Sequence, residues 1–200
     1  PDYLAPVPSM AIVEFEPDFG EGALARGFIV PRGTVLRGRL GGEAQTACEF
    51  RTSHEVTMWP IEVADAKFFS YPPEFPRDIA VPKDVKGAVK IRLKIKSDIT
   101  FDKIPIENLV FYLAGEESTA ARLYEHIFSS CLGIIVAPIR QPFRWHRVLD
   151  DDCLERVGFE DDEALLPPHR SFRGHRLLRE YSAFPARYQF FKISSLRDVL

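Results

Sequence analysis

One stretch near the middle of the chain alternates apolar and basic residues with a period of two. The apolar positions are Val89, Ile91, Leu93 and Ile95, and the basic positions are Lys90, Arg92, Lys94 and Lys96. Successive side chains of a β-strand point to opposite faces of its sheet, so this spacing predicts a strand with one buried face and one wet face. A sheet lying against a core is therefore the first constraint on the fold.

Shorter stretches of the same kind fill the first half of the chain. Residues 11–16 alternate before Pro17 and predict a first strand, and residues 28–36 predict two strands around a Pro-Arg-Gly turn. Further strands are expected in the first half at residues 49–52, 56–59 and 61–63, and beyond it at residues 108–113, 133–136 and 188–193. The first half is therefore expected to be rich in strands and hairpins.

Two helices are expected in the second half. Ser118 is placed to cap a helix near residues 118–130, and Ser171 to cap another near residues 171–183. The predicted fold class is α+β and strand-rich, with antiparallel β-sheets and about two helices. A soft boundary near Gly115 divides a strand-rich stretch, residues 1–115, from a mixed stretch, residues 116–200, unless the two form one compact unit.

Composition excludes several classes of protein. The 26 Lys and Arg against 29 Asp and Glu give a net charge of -3, and 46% of the residues are hydrophobic. These values disfavour wholesale disorder and a generally basic nucleic-acid binder. No apolar run approaches the roughly 20 residues of a membrane span. Three cysteines without a CxxC pair fit a reducing cytoplasm, and the opening without Met leads us to expect a fragment of a longer protein.

Catalytic signatures are missing from the sequence. It contains no GxSxG, GxxxxGK, GxGxxG or HExxH motif. The acidic runs at residues 150–152 and 160–163 offer carboxylates to a divalent cation, so a metal-dependent hydrolase or nuclease is the alternative function. Solvated charge, or pairing with nearby arginines, is the favoured explanation of these runs. Cys153, with His169 and His175, lacks the spacing of a known metal or nucleophile motif.

The most informative pattern is basic and aromatic. From residue 140 onward the chain has ten Arg and one Lys, whereas eight Arg and seven Lys precede it. Arg with aromatic residues is typical of buried protein interfaces, because the guanidinium makes bidentate and stacking contacts. Internal pairing is nevertheless the favoured explanation of these arginines, a protein interface is the next, and nucleic-acid binding is the least favoured. The candidate interface residues are Arg140, Phe143, Arg144, Trp145, Arg147, Arg173 and Arg176.

A series of motifs follows in order along nearly the whole chain. The motifs are Tyr3-Leu4-Ala5-Pro6, Val30-Pro31-Arg32-Gly33-Thr34, Cys48-Glu49-Phe50-Arg51-Thr52, Val56-Thr57-Met58-Trp59-Pro60, Asp162-Glu163-Ala164-Leu165-Leu166-Pro167, Ser171-Phe172-Arg173-Gly174 and Leu177-Leu178-Arg179-Glu180-Tyr181. This series resembles the TssF family, the baseplate wedge subunits of bacterial type VI secretion systems. It departs from the family pattern at His175 and Ser182, where aromatic residues are usual.

The resemblance implies a structural protein and not an enzyme, with no catalytic residue, cofactor, metal or small-molecule substrate. It implies part of the N-terminal half of a longer protein. The implied partners are TssG, TssK and a second TssF copy in the wedge, then the spike hub and the sheath and tube components. The implied place is the cytoplasm, at the baseplate docked on the inner-membrane complex, with no membrane insertion and no nucleic acid.

Overall fold

The structure, a computed structural model, describes residues 6–18, 22–38, 47–70, 81, 84–140, 144–167, 172–197 and 199. Two α-helices and eleven strands form within these residues, and every strand pair is antiparallel. The predicted α+β class is therefore confirmed. The strands are β1 (Phe28–Val30), β2 (Val35–Arg37), β3 (Glu49–Arg51), β4 (Val56–Met58), β5 (Ile61–Phe69), β6 (Ala88–Ile95), β7 (Leu109–Tyr112), β8 (Ile134–Val136), β9 (Arg147–Leu149), β10 (Leu154–Arg156) and β11 (Phe190–Ile193).

The two strands predicted at residues 28–36 form, but they do not pair with each other. β1 pairs with β4 and β2 pairs with β3, in one register that continues from Val30↔Val56 to Val35↔Arg51. The Thr52 hydroxyl bridges the interruption, because it accepts a hydrogen bond from the backbone N–H of Thr34 at 3.0 Å and donates one to the Pro31 carbonyl at 2.8 Å. The four strands therefore make one long, interrupted ribbon.

The strand predicted at residues 11–16 is wrong. The backbone there is irregular, and Val13 is exposed. The alternation finds no neighbouring strand among the described residues, and without one the backbone groups have no ladder to join. The pattern alone therefore misled, because alternation describes a strand only where a partner lies beside it.

The strand with the clearest alternation is β6, which pairs with β5 in a ribbon bulged between Val63 and Asp65. At its base, Ile61 and Ile95 pack against the core formed by Ile104, Ile106 and Leu196. Toward its far end the apolar side chains lose this support, and Val89 is exposed although the sequence predicted it to be buried. The ribbon thus leaves the core along its length.

A three-stranded sheet in the order β10-β11-β7 joins the two halves of the chain. Phe111 of β7 stacks on Phe191 of β11 with ring centroids 5.3 Å apart. The hydrophobic core also combines Ile104 and Ile106 from before Gly115 with Leu196 from after it. One sheet and one core thus cross the boundary that composition indicated.

The two helices lie close to their predicted positions. They are α1 (Glu117–Ser129) and α2 (Arg173–Ala183). The sequence predicted Ser118 as the N-cap of α1, but Glu116 takes that position. The Ser118 hydroxyl donates to the Glu116 carboxylate at 2.9 Å. The N-cap of α2 is Phe172, and Ser171 lies outside the described residues.

Candidate interaction site

Four of the seven predicted interface residues belong to one hairpin. β8 pairs with β9 from Ile134↔Leu149 to Val136↔Arg147, and the connecting loop contains Arg140, Arg144 and Trp145. A fifth predicted residue, Phe143, falls on the same loop in sequence but lies outside the described residues. The basic-aromatic stretch therefore runs along this loop and ends on β9 with Arg147.

We call the exposed residues Arg140, Arg144, Trp145 and Arg147 of this hairpin the β8–β9 surface. Arg140, Arg144 and Arg147 are exposed, and Trp145 keeps 40% of its surface accessible. Arg147 donates to the neighbouring His146 carbonyl at 3.1 Å, and none of the three guanidinium groups has a carboxylate partner among the described residues. Ile139 and Val148 on the same hairpin, and Leu132 just before it, are exposed large apolar side chains.

Arg176, on α2, has the opposite environment. Its side chain is 5% exposed and that of Glu180, one turn later on the helix, is 0% exposed. The Nη1 group of Arg176 donates to both carboxylate oxygens of Glu180 at 3.1 and 3.2 Å, and its Nη2 group donates to Asp161 at 3.0 Å. Burial of this kind assigns Arg176 to internal pairing, one of the alternatives that the sequence left open.

Glu180 receives more bonds than those from Arg176. Its Oε1 accepts the backbone N–H groups of Leu165 and Leu166 at 3.1 and 2.9 Å, and its Oε2 accepts the Tyr188 hydroxyl at 3.3 Å. Burial, together with the charge and hydrogen bond of Glu180, raises the pKa of Tyr188 to about 12. Burial alone lowers the pKa of Arg176, but its bonds to Glu180 and Asp161 raise the pKa above its ordinary value.

Arg173 contacts two of the four carboxylates of the second acidic run. It lies 2.8 Å from the Glu160 carboxylate and 3.7 Å from that of Asp161, and it donates to the Phe159 carbonyl. Glu163 turns back to accept the backbone N–H of Gly158 at 2.6 Å. Glu160 and Asp161 therefore hold the loop against α2 by pairing with its arginines, as the sequence predicted, while Glu163 stabilises the turn of the loop itself.

A junction between the first half and this loop was not predicted from the sequence. Arg187 is 2% exposed and donates to the Glu163 carbonyl at 2.7 Å, while Arg32 from the ribbon donates to the Ala164 carbonyl at 3.4 Å. Gly158 has a φ of +106°, and a Cβ there would lie 3.3 Å from the Arg187 guanidinium carbon. A conformation restricted to glycine thus gives Arg187 its space. No local motif marks such a contact, because its members are distant in sequence.

The described residues hold no group of three or more His, Cys, Asp or Glu side chains that could bind a metal ion. Cys153 is buried, and this burial raises the pKa of its thiol, which opposes nucleophilic thiolate formation. His175 lies edge-on to the Phe172 ring, and His169 is outside the described residues. In the part of the chain that the structure describes, no helix is long and apolar enough to cross a membrane.

The whole chain, residues 1–200, matches the protein family described as "Type VI secretion system, TssF". It is 43% identical over 203 residues to "Type VI secretion system component TssF1" of Pseudomonas aeruginosa, an alignment that covers 100% of this chain and 32% of that relative.

The fold is similar to that of a chain in a structure described as the type VI secretion system TssK-TssF-TssG baseplate subcomplex, obtained by cryo-electron microscopy. The TM-score is 0.67 at 21% identity, and the match covers 88% of this chain and 31% of that chain. This likeness concerns the fold alone. The chain spans about a third of the length of the curated relative that it matches. With its whole length matched by the family and nearly half its residues shared with a member, the chain belongs to the TssF family of type VI secretion systems.

Proposed function

We propose that this chain is a structural part of the type VI secretion baseplate wedge, which assembles with other subunits into the platform for spike, tube and sheath. Family membership supports the proposal, and so does the name of the structural neighbour, a TssK-TssF-TssG baseplate subcomplex. The observation in the chain itself that carries it is the β8–β9 surface. Its Trp145, Arg144, Arg140 and Arg147 are unpaired or exposed groups of the types that dominate binding energy at protein interfaces.

The proposal extends to partners and place. The partners are TssG, TssK and a second TssF copy in the wedge, followed by the spike hub and the sheath and tube components. The place is the cytoplasmic side of the inner membrane, at the baseplate docked on the inner-membrane complex. The chain acts there by binding, and we propose no catalysis, cofactor or small-molecule substrate.

Arg173 and Arg176 have a supporting part in this proposal. Both pair with the acidic loop at residues 160–163, and Arg173 keeps 43% of its side chain accessible. They hold α2 and the loop in place, and Arg173 retains donors that can reach a partner. Among the predicted interface residues, the β8–β9 surface therefore contributes the binding groups and α2 contributes the rigid support.

A nucleic acid is the weaker candidate for the β8–β9 surface. Three exposed aspartates follow β9 directly, at the start of a short 3-10 turn: Asp150, Asp151 and Asp152. Carboxylates at this place break a continuous positive groove, which phosphate binding requires. A protein partner with both apolar surface and carboxylates matches the whole set of exposed groups better.

The test is co-expression of the full-length protein with the TssG and TssK homologues of its genome, followed by size-exclusion chromatography with light scattering. We expect a complex of defined stoichiometry, and at least about tenfold weaker assembly with Trp145→Ala and Arg144→Ala, as befits hot-spot side chains. Arg122→Ala, an exposed arginine on α1, is the matched control. Failure of the unaltered protein to assemble contradicts the baseplate role, whereas assembly undisturbed by both variants contradicts the β8–β9 surface.

A further inference from the structure

The ribbon of β5 and β6 carries apolar side chains away from the core into solvent. Phe68 lies opposite Val89 and Val63 lies opposite Leu93, and the alternation places these two pairs on one face. Phe68 is 62% exposed and Val63 is 54% exposed. A two-stranded ribbon is marginally stable alone, and contiguous exposed apolar surface marks interaction sites. This face therefore needs a partner.

The ribbon also has an open edge. Among the described residues β5 and β6 form a sheet of two strands, with no third strand beside either. The backbone N–H of Lys96 donates to the Pro60 carbonyl at 2.9 Å, toward the β5 side. Because the amides of an antiparallel strand alternate in direction, those of Val89, Ile91 and Leu93 point away from β5. Unpaired amides in a row are a template for another strand.

Charge narrows what kind of strand fits this edge. The face opposite the apolar one carries Lys90 and Lys67 directly across from each other, as like charges, with Arg92 and Lys94 following on β6. Its carboxylates are already engaged, Glu62 with Lys96 at 2.8 Å and Asp65 with Lys67 at 3.5 Å. Lys90 and Lys94 are exposed and have no ion pair among the described residues.

These features disfavour a second copy of the chain as the occupant of the edge. If two β6 edges paired, Lys90, Arg92 and Lys94 of one copy would face the same cations of the other, and like charges on neighbouring strands are destabilising. A strand that alternates apolar and acidic residues meets both faces at once. Its apolar side chains extend the face of Phe68 and Val89, and its carboxylates neutralise Lys90 and Lys94.

We propose that the free edge of β6 binds a strand of alternating apolar and acidic residues, supplied by another protein, which becomes the third strand of this sheet. Backbone hydrogen bonds to the open edge give affinity, and the side-chain alternation selects the partner. The inference rests on the proposed function for the source of that strand, which is another subunit of the baseplate. It is separate from the β8–β9 surface, so the chain has two binding surfaces.

Hydrogen–deuterium exchange tests this on the full-length protein, alone and in complex with the co-expressed TssG and TssK homologues. We expect exchange of the segment at residues 88–95 to slow at least about tenfold in the complex, as new backbone bonds require. The double variant Lys90→Glu and Lys94→Glu is expected to abolish this protection and weaken assembly about tenfold. Phe68→Ser changes an exposed side chain, and we expect it to weaken assembly without unfolding the protein. Lys103→Glu, an exposed lysine outside the ribbon, is the matched control.

The outcomes separate the inference from the proposed function. An assembled complex with unchanged exchange at β6 overturns the added strand and leaves the baseplate role standing. Assembly that tolerates both the double charge reversal and Phe68→Ser overturns it as well. Protection of β6 in a dimer of the protein alone identifies a second copy as the occupant instead. Salt-dependent binding of duplex DNA that the double reversal abolishes identifies a nucleic acid instead. Failure of the unaltered protein to assemble contradicts the proposed function itself.

Discussion

Two arginines of the same predicted set, Arg144 and Arg176, have opposite surroundings. Arg144 is exposed on a hairpin loop, while Arg176 is buried beside Glu180. Composition could not separate them, because it counts residue types and carries no information on burial. The spacing of Arg176 and Glu180, one helical turn apart, did contain a usable signal for an internal pair once α2 was predicted. At the scale of the residue, the sequence therefore predicted which residue types form contacts, but not which of them are buried and which are exposed.

The buried pair offers the sharpest prediction at this scale. Glu180→Gln removes the charge that compensates Arg176 while keeping the shape of the side chain. We expect a loss of about 3 kcal/mol or more in the free energy of unfolding, because the buried arm of Arg176 then faces a neutral amide and its remaining carboxylate partner, Asp161, is exposed to solvent. Urea denaturation measures the loss.

The control is Glu160→Gln, whose carboxylate is 69% exposed where it pairs with Arg173. Exposed ion pairs contribute at most about 1 kcal/mol, so this variant is expected to be nearly as stable as the parent. Equal effects of the two substitutions would show that burial does not set the strength of these pairs.

His54 predicts a pH dependence of stability. Burial, then the positive charge of Arg187, lowers its pKa below 6.5 against the opposing charges of Glu163 and Asp162, while Arg32 lowers it further. The folded state therefore binds fewer protons than the unfolded state below pH 6.5. This stability contribution is full above pH 6.5 and is lost as the pH falls from 6.5 toward the folded pKa.

Urea denaturation between pH 8 and pH 5 is the measurement, with His54→Asn as the comparison. The parent protein is expected to lose more stability over this interval than the variant, which has no titrating ring. Parallel curves for the two proteins would rule out a contribution from His54.

At the scale of the element, periodicity predicted what is local. Both helices and the ribbon strand β6 lie close to where their patterns placed them. The pairing of the strands could not be predicted from the sequence, because β1 pairs with β4 and β7 pairs with β11, which are distant along the chain. Such contacts depend on where distant segments meet. For this reason the sequence wrongly predicted a strand at residues 11–16 and did not predict the interrupted ribbon.

Two glycines of the interrupted ribbon separate packing from backbone strain. Gly27 and Gly33 have φ angles of +81° and +83°. A Cβ added to Gly27 would lie 2.9 Å from the Trp59 ring, whereas a Cβ added to Gly33 would have no neighbouring atom within 4 Å. Gly33→Ala is expected to cost about 1 to 2 kcal/mol from the left-handed backbone alone. Gly27→Ala is expected to cost more, because the indole must also move.

Thermal unfolding of the two variants gives the comparison. A larger drop in Tm for Gly27→Ala is the predicted order, and near-UV circular dichroism is expected to report the displaced Trp59. Equal drops, with the indole signal unchanged, would show that the ribbon yields at this contact.

At the scale of the whole molecule, the sheet of β7, β10 and β11 joins the strand-rich and mixed stretches, and the core around Ile106 draws on both. We infer that the two stretches form one compact unit. The sequence left this possibility open as the alternative to a boundary near Gly115. Exposed apolar side chains occur at several places outside this core, and those on the β8–β9 surface and on the ribbon of β5 and β6 are among them. Their position matches a part built to be covered by other subunits.

The central claim is that this chain binds baseplate partners through the β8–β9 surface. The most direct measurement replaces Trp145 by a photo-crosslinking amino acid in the full-length protein, co-expressed with the TssG and TssK homologues, with exposed Ile29 on β1 as the control position. We predict crosslinks to a baseplate subunit from position 145 and markedly fewer from position 29. A complex that assembles but gives no crosslink from position 145 would contradict the claim.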